Sequence, residues 1–312
     1  MNEPDSALVE LLKRLAAFGY DFVTVTPETH RRVMARRDRG RDLRDALGWS
    51  LPVPLESLPS DLTDLLRAAD ALIDEGGWVR SRIRVSRVGE HLFVHSAYPT
   101  GRQDAVFLGP DTYRFVRFVR ARLSDASAVG HLVDMGAGSG AGAICAASCL
   151  SGAKLTLVDS NPEALRLARI NAVAAGVVVE LAERLPGAFD LWIANPPFIQ
   201  DSAGRAYRDG GQRLGAEASL LWTLEAARRI TPGGRMLLYT GSAIVAGGDG
   251  LLEELERRLT PLGCSLRYEE IDPDIFGEEL DCPAYRDVER IAAVGVEIIR
   301  ERSWSAAEPA SS

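Results

Sequence analysis

Apolar residues repeat with helical spacing at the start of the chain and alternate with polar residues further on. Residues 5–18 place leucines on one face of a predicted helix, and residues 29–47 and about 61–74 predict further helices. Apolar and polar side chains then alternate over 78–88 and 91–98, which predicts two strands joined as a hairpin. The first hundred residues therefore predict a small helical unit that ends in β structure.

A different pattern begins near residue 105, where short apolar strands alternate with glycine-containing turns and Ala- and Leu-rich helical segments. The predicted strands lie at 129–136, 153–159, 177–182, 189–197 and 234–241, followed by two later strands at 265–272 and 290–300. This order predicts a parallel α/β sheet with helices on both faces.

Composition indicates a folded, reduced protein and excludes several other classes. Of the 312 residues, 46% are hydrophobic and 26% charged, which is close to the globular average. The sequence contains no run of about 18 uncharged apolar residues. The four cysteines form no C-x-x-C pair and have no histidine at ligand spacing, so we predict no metal site. The amphipathic start of the chain differs from a signal peptide, and we predict a cytoplasmic protein without membrane contact.

The first predicted strand of the sheet ends in a glycine-rich turn, Asp134-Met135-Gly136-Ala137-Gly138-Ser139-Gly140, directly before a helix. Glycine permits the positive φ angles of a tight turn and the close approach of a ligand to the backbone. The turn therefore predicts a ligand-binding loop. Such a turn alone is weak evidence, because it also occurs where it serves only helix packing.

An acidic residue, Asp159, closes the next predicted strand. A carboxylate at this strand end can accept hydrogen bonds from both hydroxyl groups of a ribose, which indicates an adenosine-type cofactor. Asp159 is also placed to cap the helix that starts near residue 162. The capping role is compatible with the ribose role and stays open.

The D-x-G-x-G-x-G order of the turn resembles motif I of class I S-adenosylmethionine-dependent methyltransferases, and it differs from the G-x-G-x-x-G turn of dinucleotide folds. The charge of Asp134 suits a cationic sulfonium and its ammonium group and would repel a pyrophosphate. The resemblance implies the Rossmann-like, seven-stranded methyltransferase sheet and S-adenosyl-L-methionine as the cofactor. The cofactor-binding residues that it implies are Asp134, Gly136, Ala137, Gly138, Gly140, Asp159, Ser160 and Asn195.

The fourth predicted strand ends in Asn195-Pro196-Pro197-Phe198. Because proline has a fixed φ and no N–H, two in succession keep the backbone extended with its carbonyls free to accept hydrogen bonds. The Asn195 side-chain oxygen and the Pro196 carbonyl can hold both N–H bonds of a planar nitrogen and direct its lone pair toward a methyl donor. Phe198 adds an apolar face for a flat target. We predict that all four residues are catalytic, against the alternative of a structural Pro-Pro strand end.

This motif resembles the N-P-P-[FY] signature of methyltransferases that modify glutamine amides of proteins, adenine N6 or guanine N2. Residues 104–123 resemble the segment before motif I in release-factor glutamine methyltransferases, which implies that Asp111 and Thr112 belong to the cofactor pocket unless they only cap a helix. Arg208–Gly215 resembles the glycine-rich segment after the signature and is interpreted as a mobile loop over the substrate. Phe198 replaces the tyrosine usual in release-factor enzymes and is commoner in RNA enzymes.

The predicted function is methyl transfer to a planar nitrogen of a macromolecule, either a protein glutamine, as in a translation factor, or an exocyclic amine of an RNA base. A small-molecule N-methyltransferase and a noncatalytic cofactor-binding scaffold for a partner protein are the alternatives. The predicted domains are an N-terminal α+β domain for substrate recognition (1–103), the methyltransferase domain (104–302) and a flexible tail (303–312).

Arginines are concentrated in the N-terminal region. Arg80, Arg82 and Arg84 are predicted to share one face of a strand, and a second group lies between residues 31 and 39. Such a surface can guide RNA or an acidic protein to the site, or it is an ordinary solvated face balanced by nearby acids. The net charge of −8, with its acidic excess after residue 125, argues against nonspecific binding of long nucleic-acid duplexes.

Overall fold

The computed structural model describes residues 1–37, 39–123, 129–201 and 208–302. Contacts divide the chain into two compact units. The first unit comprises residues 1–120, 137–149 and 157–183, and the second comprises residues 121–136, 150–156 and 184–312. The predicted tail at 303–312 lies outside the described residues, and the predicted domain boundary at 103/104 stays a prediction.

The helices of the described residues are α1 (Glu3–Ala17), α2 (Pro27–Met34), α3 (Leu43–Leu47), α4 (Ser60–Ala68), α5 (Pro110–Leu123), α6 (Ala141–Ala146), α7 (Pro162–Ala175), α8 (Glu217–Arg229) and α9 (Gly250–Leu259). The strands are β1 (Val53–Pro54), β2 (Leu72–Asp74), β3 (Trp78–Ser81), β4 (Ile83–Val88), β5 (His91–Ser96), β6 (His131–Met135), β7 (Lys154–Val158), β8 (Glu180–Ala182), β9 (Phe189–Ala194), β10 (Ile230–Val245), β11 (Gly248–Asp249), β12 (Cys264–Asp272) and β13 (Arg290–Arg300). Short 3₁₀ turns lie at Leu55–Ser57, Ala147–Cys149, Thr260–Leu262, Gly277–Asp281 and Pro283–Tyr285.

In the first unit, α1 confirms the helix predicted over 5–18. Asn2 caps it by accepting the Asp5 N–H at 2.9 Å, and its leucines are buried in a core shared with α4 and α7. Burial of this apolar stripe is the main reason that the helix is stable in the fold.

The single helix predicted over 29–47 is wrong, because the chain leaves the helix after Met34. Asp42 starts a new helix by accepting the Asp45 N–H at 2.9 Å, and the Gly40 N–H donates to the Pro52 carbonyl at 2.8 Å. A strong N-cap inside a helical pattern thus divides the segment into α2 and α3.

The predicted strand over 78–88 is interrupted at Arg82, which lies between β3 and β4. β3 pairs with β1 and β2, whereas β4 pairs with β5 as the predicted hairpin, with Val88 opposite His91. Because of this interruption, the arginines do not form one exposed face: Arg84 is only 3% exposed, and its Nε donates to the Gly48 carbonyl at 2.9 Å. Burial lowers the pKa of Arg84 to about 10.

The main sheet has the strand order β12-β13-β10-β9-β6-β7-β8. The short β11 pairs with β10 outside this path. β9 is parallel to β6 and β10, while β13 is antiparallel to β10 and β12. The predicted α/β sheet is confirmed, with its late strand reversed relative to the parallel set. Seven strands follow this path in the described part of the chain.

Membrane-spanning and metal-binding elements are not found in the described ranges. Neither a helix long and apolar enough to cross a membrane nor a group of three or more His, Cys, Asp or Glu side chains suited to hold a metal ion occurs there.

Candidate active site

Two neighbouring parallel strands of the second unit end side by side. Asp134 pairs in register with Ile193, and Met135 pairs with Ala194. Gly136 and Asn195 are therefore the first residues after the carboxyl ends of β6 and β9. In the strand order, β6 is followed by β7 on one side and β9 is followed by β10 on the other, so the two chain connections leave in opposite directions. Ligands of open α/β sheets bind at such a switch point.

Gly136 has a close neighbour that the sequence did not predict. Its φ is +68°, and a Cβ added there would lie 2.8 Å from the Trp222 ring. Trp222 lies on α8 and is half-buried. Asp134, which lies in β6 two residues before Gly136, is only 2% exposed. The indole ring packs against the start of the glycine-rich loop and leaves no room for a side chain at Gly136.

In the first unit, the rest of the loop is joined to Asp159. The Gly138 N–H donates to Asp159 Oδ2 at 2.9 Å, and the Ala137 N–H donates to the Val158 carbonyl at 3.1 Å. Gly140, with φ +79°, precedes α6. The structure thus brings together the loop and the acidic residue that the sequence predicted, at the end of β7.

Asp159 is not the cap of the following helix, contrary to the alternative left open by the sequence. Asn161 caps α7 by accepting the Glu163 N–H at 3.0 Å, and Asp159 Oδ1 accepts the Asn161 N–H at 2.9 Å. Each carboxylate oxygen can accept more than one hydrogen bond. Half-buried Asp159, followed by exposed Ser160, therefore keeps acceptor capacity for a ribose.

Asn171 on α7 is a residue that sequence reasoning missed. Its side chain is fully buried, accepts the Val94 N–H at 2.8 Å, and donates to the carbonyls of Val94 at 3.1 Å and Ser139 at 2.9 Å. The amide thereby ties the glycine-rich loop to β5 within the first unit. The available signal was a lone amide on the apolar side of an Ala- and Leu-rich helix.

Asp111 and Thr112 lie in the first turn of α5, which begins at Pro110. Thr112 Oγ1 accepts the Gly109 N–H at 3.4 Å, so Thr112 supports the helix start from inside the helix. Asp111 is 6% exposed, and its carboxylate is 3.6 Å from the Arg114 guanidinium. Their predicted contact with the cofactor stays a prediction.

The Asn-Pro-Pro-Phe segment presents an unused acceptor. Asn195 Oδ1 is buried, yet it has no hydrogen-bond partner among the described residues. A buried unpaired polar atom is costly, at about 1–3 kcal/mol, and a ligand N–H removes that cost. This atom is therefore what a site for an amide or amine nitrogen requires.

Phe198 is packed more tightly than its predicted role requires. The residue is 7% exposed, and its ring meets the Tyr239 and Phe276 rings edge-on at centroid distances of 6.5 and 5.6 Å. Little of the ring faces solvent, so the structure gives Phe198 a packing function. Its stacking on a substrate stays a prediction.

The segment after Arg208 is hydrogen-bonded to the chain that follows the motif. The Ile199 N–H donates to the Arg208 carbonyl at 3.1 Å, and the Gly210 N–H donates to the Ile199 carbonyl at 2.7 Å. A Cβ on Gly210 would lie 2.7 Å from the Pro197 carbonyl oxygen. The described part of Arg208–Gly215 is thus a support packed against the motif, and its mobility over a substrate stays a prediction. Residues 202–207 lie outside the described ranges.

Tyr285 holds both ends of this support. Its hydroxyl accepts the Gln200 N–H at 2.8 Å and donates to the Leu214 carbonyl at 3.2 Å, and the residue is 1% exposed. Burial raises the pKa of the Tyr285 phenol, so it stays a neutral donor at physiological pH. The contact with Gln200 joins residues 85 positions apart, so no local signal in the sequence predicts it.

Replacing Tyr285 by phenylalanine is expected to lower methyl transfer about fivefold to tenfold while leaving cofactor affinity unchanged. The change leaves the Gln200 N–H without its partner and loosens the segment beside Pro197, which costs about 1–3 kcal/mol. Single-turnover methylation and calorimetric titration with S-adenosylhomocysteine measure the two effects separately.

Tyr268→Phe is the matched control, because the Tyr268 hydroxyl donates to Asp249 at 2.6 Å, away from the motif. Tyr285→Phe loses two hydrogen bonds to backbone groups, and Tyr268→Phe loses one charge-assisted hydrogen bond to a carboxylate, so their melting temperatures should fall by comparable amounts. An equal loss of methyl transfer in both variants would show that Tyr285 affects only stability.

Comparison with known proteins finds methyltransferases that are similar to this chain. A model of the methyltransferase small domain matches residues 117–242. A release factor glutamine methyltransferase from Deinococcus radiodurans is 34% identical over 157 residues, which are 47% of this chain and 55% of the relative. Another, from Bradyrhizobium diazoefficiens, is 28% identical over 276 residues, which are 75% of this chain and 86% of the relative. The solved structure of a methyltransferase from Pyrococcus furiosus aligns with a TM-score of 0.45 at 19% identity, covering 67% of this chain and 89% of that chain.

The match to the Deinococcus relative spans about half of that protein's length. The family match includes the glycine-rich loop, Asp159 and Asn195. Class I methyltransferases use S-adenosylmethionine as methyl donor, which agrees with the cofactor predicted from the sequence. Residues 117–242 therefore match the model of the methyltransferase small domain, and the chain is similar to release factor glutamine methyltransferases, as the resemblance in the sequence predicted.

Proposed function

We propose that the chain is an S-adenosylmethionine-dependent N-methyltransferase whose acceptor is the side-chain amide of a glutamine in a protein, such as a cytoplasmic translation factor. The observation that carries this proposal is the buried Asn195 Oδ1 that lacks a partner among the described residues. It lies one residue beyond β9, beside the strand end that leads into the glycine-rich loop. The names of the curated relatives favour a protein glutamine over an RNA base.

The cofactor, when bound, supplies an electrophilic methyl group on a sulfonium. Residues of this chain fit such a group at two places. Asp159, held by the Gly138 and Asn161 N–H groups, retains acceptor capacity for the ribose hydroxyls. Gly136, Gly138 and Gly140 have positive φ angles, so the loop carries no side chains at these positions that would block the approach of a ligand to its backbone. As part of this proposal, we assign a role in cofactor binding to the other residues that the resemblance implies, which are Asp134, Gly136–Gly138, Gly140, Ser160, Asp111 and Thr112.

The acceptor end of the site orients a weak nucleophile. The lone pair of an amide nitrogen is delocalised into its carbonyl, so the nitrogen must be held with that lone pair directed at the methyl group. Asn195 Oδ1 accepts one N–H of the substrate amide, and the Pro196 carbonyl accepts the other. Both acceptors gain strength as positive charge develops on the nitrogen. The proton released afterwards leaves to water, so no general base is needed.

Methyl-labelled S-adenosylmethionine tests this proposal directly. The chain is incubated with the labelled cofactor and a purified release factor from its own source, or with total RNA from that source. Label should appear in the protein, and mass spectrometry should place it on a glutamine as a gain of one methyl group. Label in RNA would show that the acceptor is an exocyclic amine of a base and not a glutamine. Thermal stabilisation by S-adenosylhomocysteine without label in either sample would indicate a noncatalytic scaffold.

A further inference from the structure

Five arginines gather around one surface cavity in the first unit. The cavity has a volume of about 420 Å³, and the arginines that line it are Arg36, Arg37, Arg39, Arg41 and Arg44. Two acidic residues, Asp42 and Asp45, also line it. Positive charges outnumber negative ones among the described lining residues. The cavity therefore suits a ligand that carries several negative charges.

The two acidic residues are engaged in building the loop. Asp42 Oδ1 accepts the Asp45 N–H at the start of α3. The Asp45 carboxylate accepts the Arg41 N–H at 3.0 Å and an Nη1–H of Arg37 at 3.1 Å. Asp45 itself is 7% exposed. These bonds fix the loop backbone and neutralise only the charge of Arg37.

The other four guanidinium groups have no acidic partner within the described part of the chain. Those of Arg36 and Arg41 are exposed. Arg39 lies over the Trp78 ring at 4.4 Å, and Arg44 lies over the Phe22 ring at 5.1 Å. Stacking on a ring orients the planar fork and leaves its N–H edge free. Arg44 Nε also donates to the Asp21 carbonyl at 3.2 Å. The loop thus presents guanidinium donors that have no acidic partner among the described residues.

A guanidinium fork pairs with carboxylates or phosphates in bidentate geometry, so the donors alone do not choose between them. The charge of the whole chain disfavours the phosphates of a nucleic acid, because a chain with a net charge of −8 would repel a long polyanion such as an RNA backbone. A cavity of about 420 Å³ holds a few acidic side chains without requiring contact along the rest of the surface.

We propose that this arginine cavity is a docking site for a glutamate- and aspartate-rich segment of the protein substrate. The inference rests on the proposed function, since it assumes that the acceptor is a protein. Docking at a second place would raise the affinity for the whole protein without touching the reacting amide.

The test uses the full chain, a fluorescein-labelled peptide of eight glutamates and an octanucleotide RNA, with binding followed by fluorescence anisotropy at low ionic strength. The variant R36A/R41A removes two exposed cations that have no acidic partner among the described residues, and it should weaken peptide binding about tenfold. The control R257A/R267A removes two exposed cations from α9 and β12 and should change it less than twofold. Equal weakening in both variants, absence of peptide binding by the wild type, or tighter binding of the RNA would overturn the proposal.

Methylation of the release factor separates this proposal from the proposed function. In R36A/R41A, KM for the protein should rise about tenfold, with kcat and affinity for S-adenosylhomocysteine unchanged. Labelled protein with an unchanged KM would overturn the docking site and leave the proposed function intact. Label found only in RNA, with peptide binding still lost in R36A/R41A, would overturn the proposed function while the preference of the cavity for carboxylates stands.

Discussion

Replacing Asn195 by alanine is expected to lower kcat for methyl transfer by about 10²–10³-fold, the range seen when one oriented hydrogen-bonding group is removed from the reacting atoms of an enzyme. Alanine removes Oδ1, the buried acceptor left without a partner in the described residues, so the substrate nitrogen is no longer held on both N–H bonds. The folded state should gain slightly in stability, because an unsatisfied polar atom is removed. Single-turnover transfer from labelled S-adenosylmethionine measures the rate, and thermal denaturation measures the stability.

Asn2→Ala is the control, because it also removes one asparagine amide, from the cap of α1. This variant should lose about 1 kcal/mol of stability and keep its activity, which is the reverse of the pattern for Asn195. Binding of S-adenosylhomocysteine to the Asn195 variant should persist, showing that the cofactor pocket is intact. Transfer at the wild-type rate in that variant would remove Asn195 from the mechanism.

The sequence predicted those parts of the site that are formed by a continuous run of residues at the end of a strand. The residues 134–140 and Asn195–Phe198 follow buried apolar strands, and parallel pairing brings carboxyl ends to one edge. Only the sheet order was needed to place Gly136 beside Asn195. The repeated pattern of strand and helix predicted a parallel α/β sheet, and the resemblance of the motifs to those of methyltransferases implied the seven-stranded methyltransferase sheet.

The supporting residues were missed because they come from distant segments. Trp222 meets Gly136 from α8, and Tyr285 meets Gln200 from a 3₁₀ turn. A tryptophan in a helix or a tyrosine in an acidic surface segment has no local signal that distinguishes support of a site from ordinary packing. Only tertiary contact identifies their partners.

The errors in the N-terminal region have a different cause, since local periodicity does not show where a pattern is interrupted. The alternation through Arg80 and Arg84 continues across Arg82, but the chain changes sheets there. Arg84 is consequently buried against Gly48, and the basic surface comes instead from the loop between α2 and α3. Capping by Asp42 created that loop within a segment whose periodicity predicted one helix.

Replacing Asp159 by alanine is expected to raise Kd for S-adenosylhomocysteine about 100-fold. The carboxylate makes charge-assisted hydrogen bonds, worth about 1.5–3 kcal/mol each, and the expected loss corresponds to one or two of them to the ribose. Alanine also frees the Gly138 and Asn161 N–H groups, which lowers stability. Asp190→Ala is therefore the matched control, because Asp190 accepts two backbone N–H groups, from Gly130 and His131, at the opposite end of β9.

Calorimetric titration should show normal cofactor affinity in Asp190→Ala despite a comparable fall in melting temperature. A 2′-deoxyribose analogue of S-adenosylhomocysteine then separates the ribose contact from loop distortion. The wild type should bind the analogue about tenfold more weakly than S-adenosylhomocysteine, since one charge-assisted hydrogen bond is lost. Asp159→Ala should bind both ligands equally, because the partner of the missing hydroxyl is already gone. If Asp159→Ala still prefers the ribose form by the wild-type factor, Asp159 organises the glycine-rich loop without contacting the ribose.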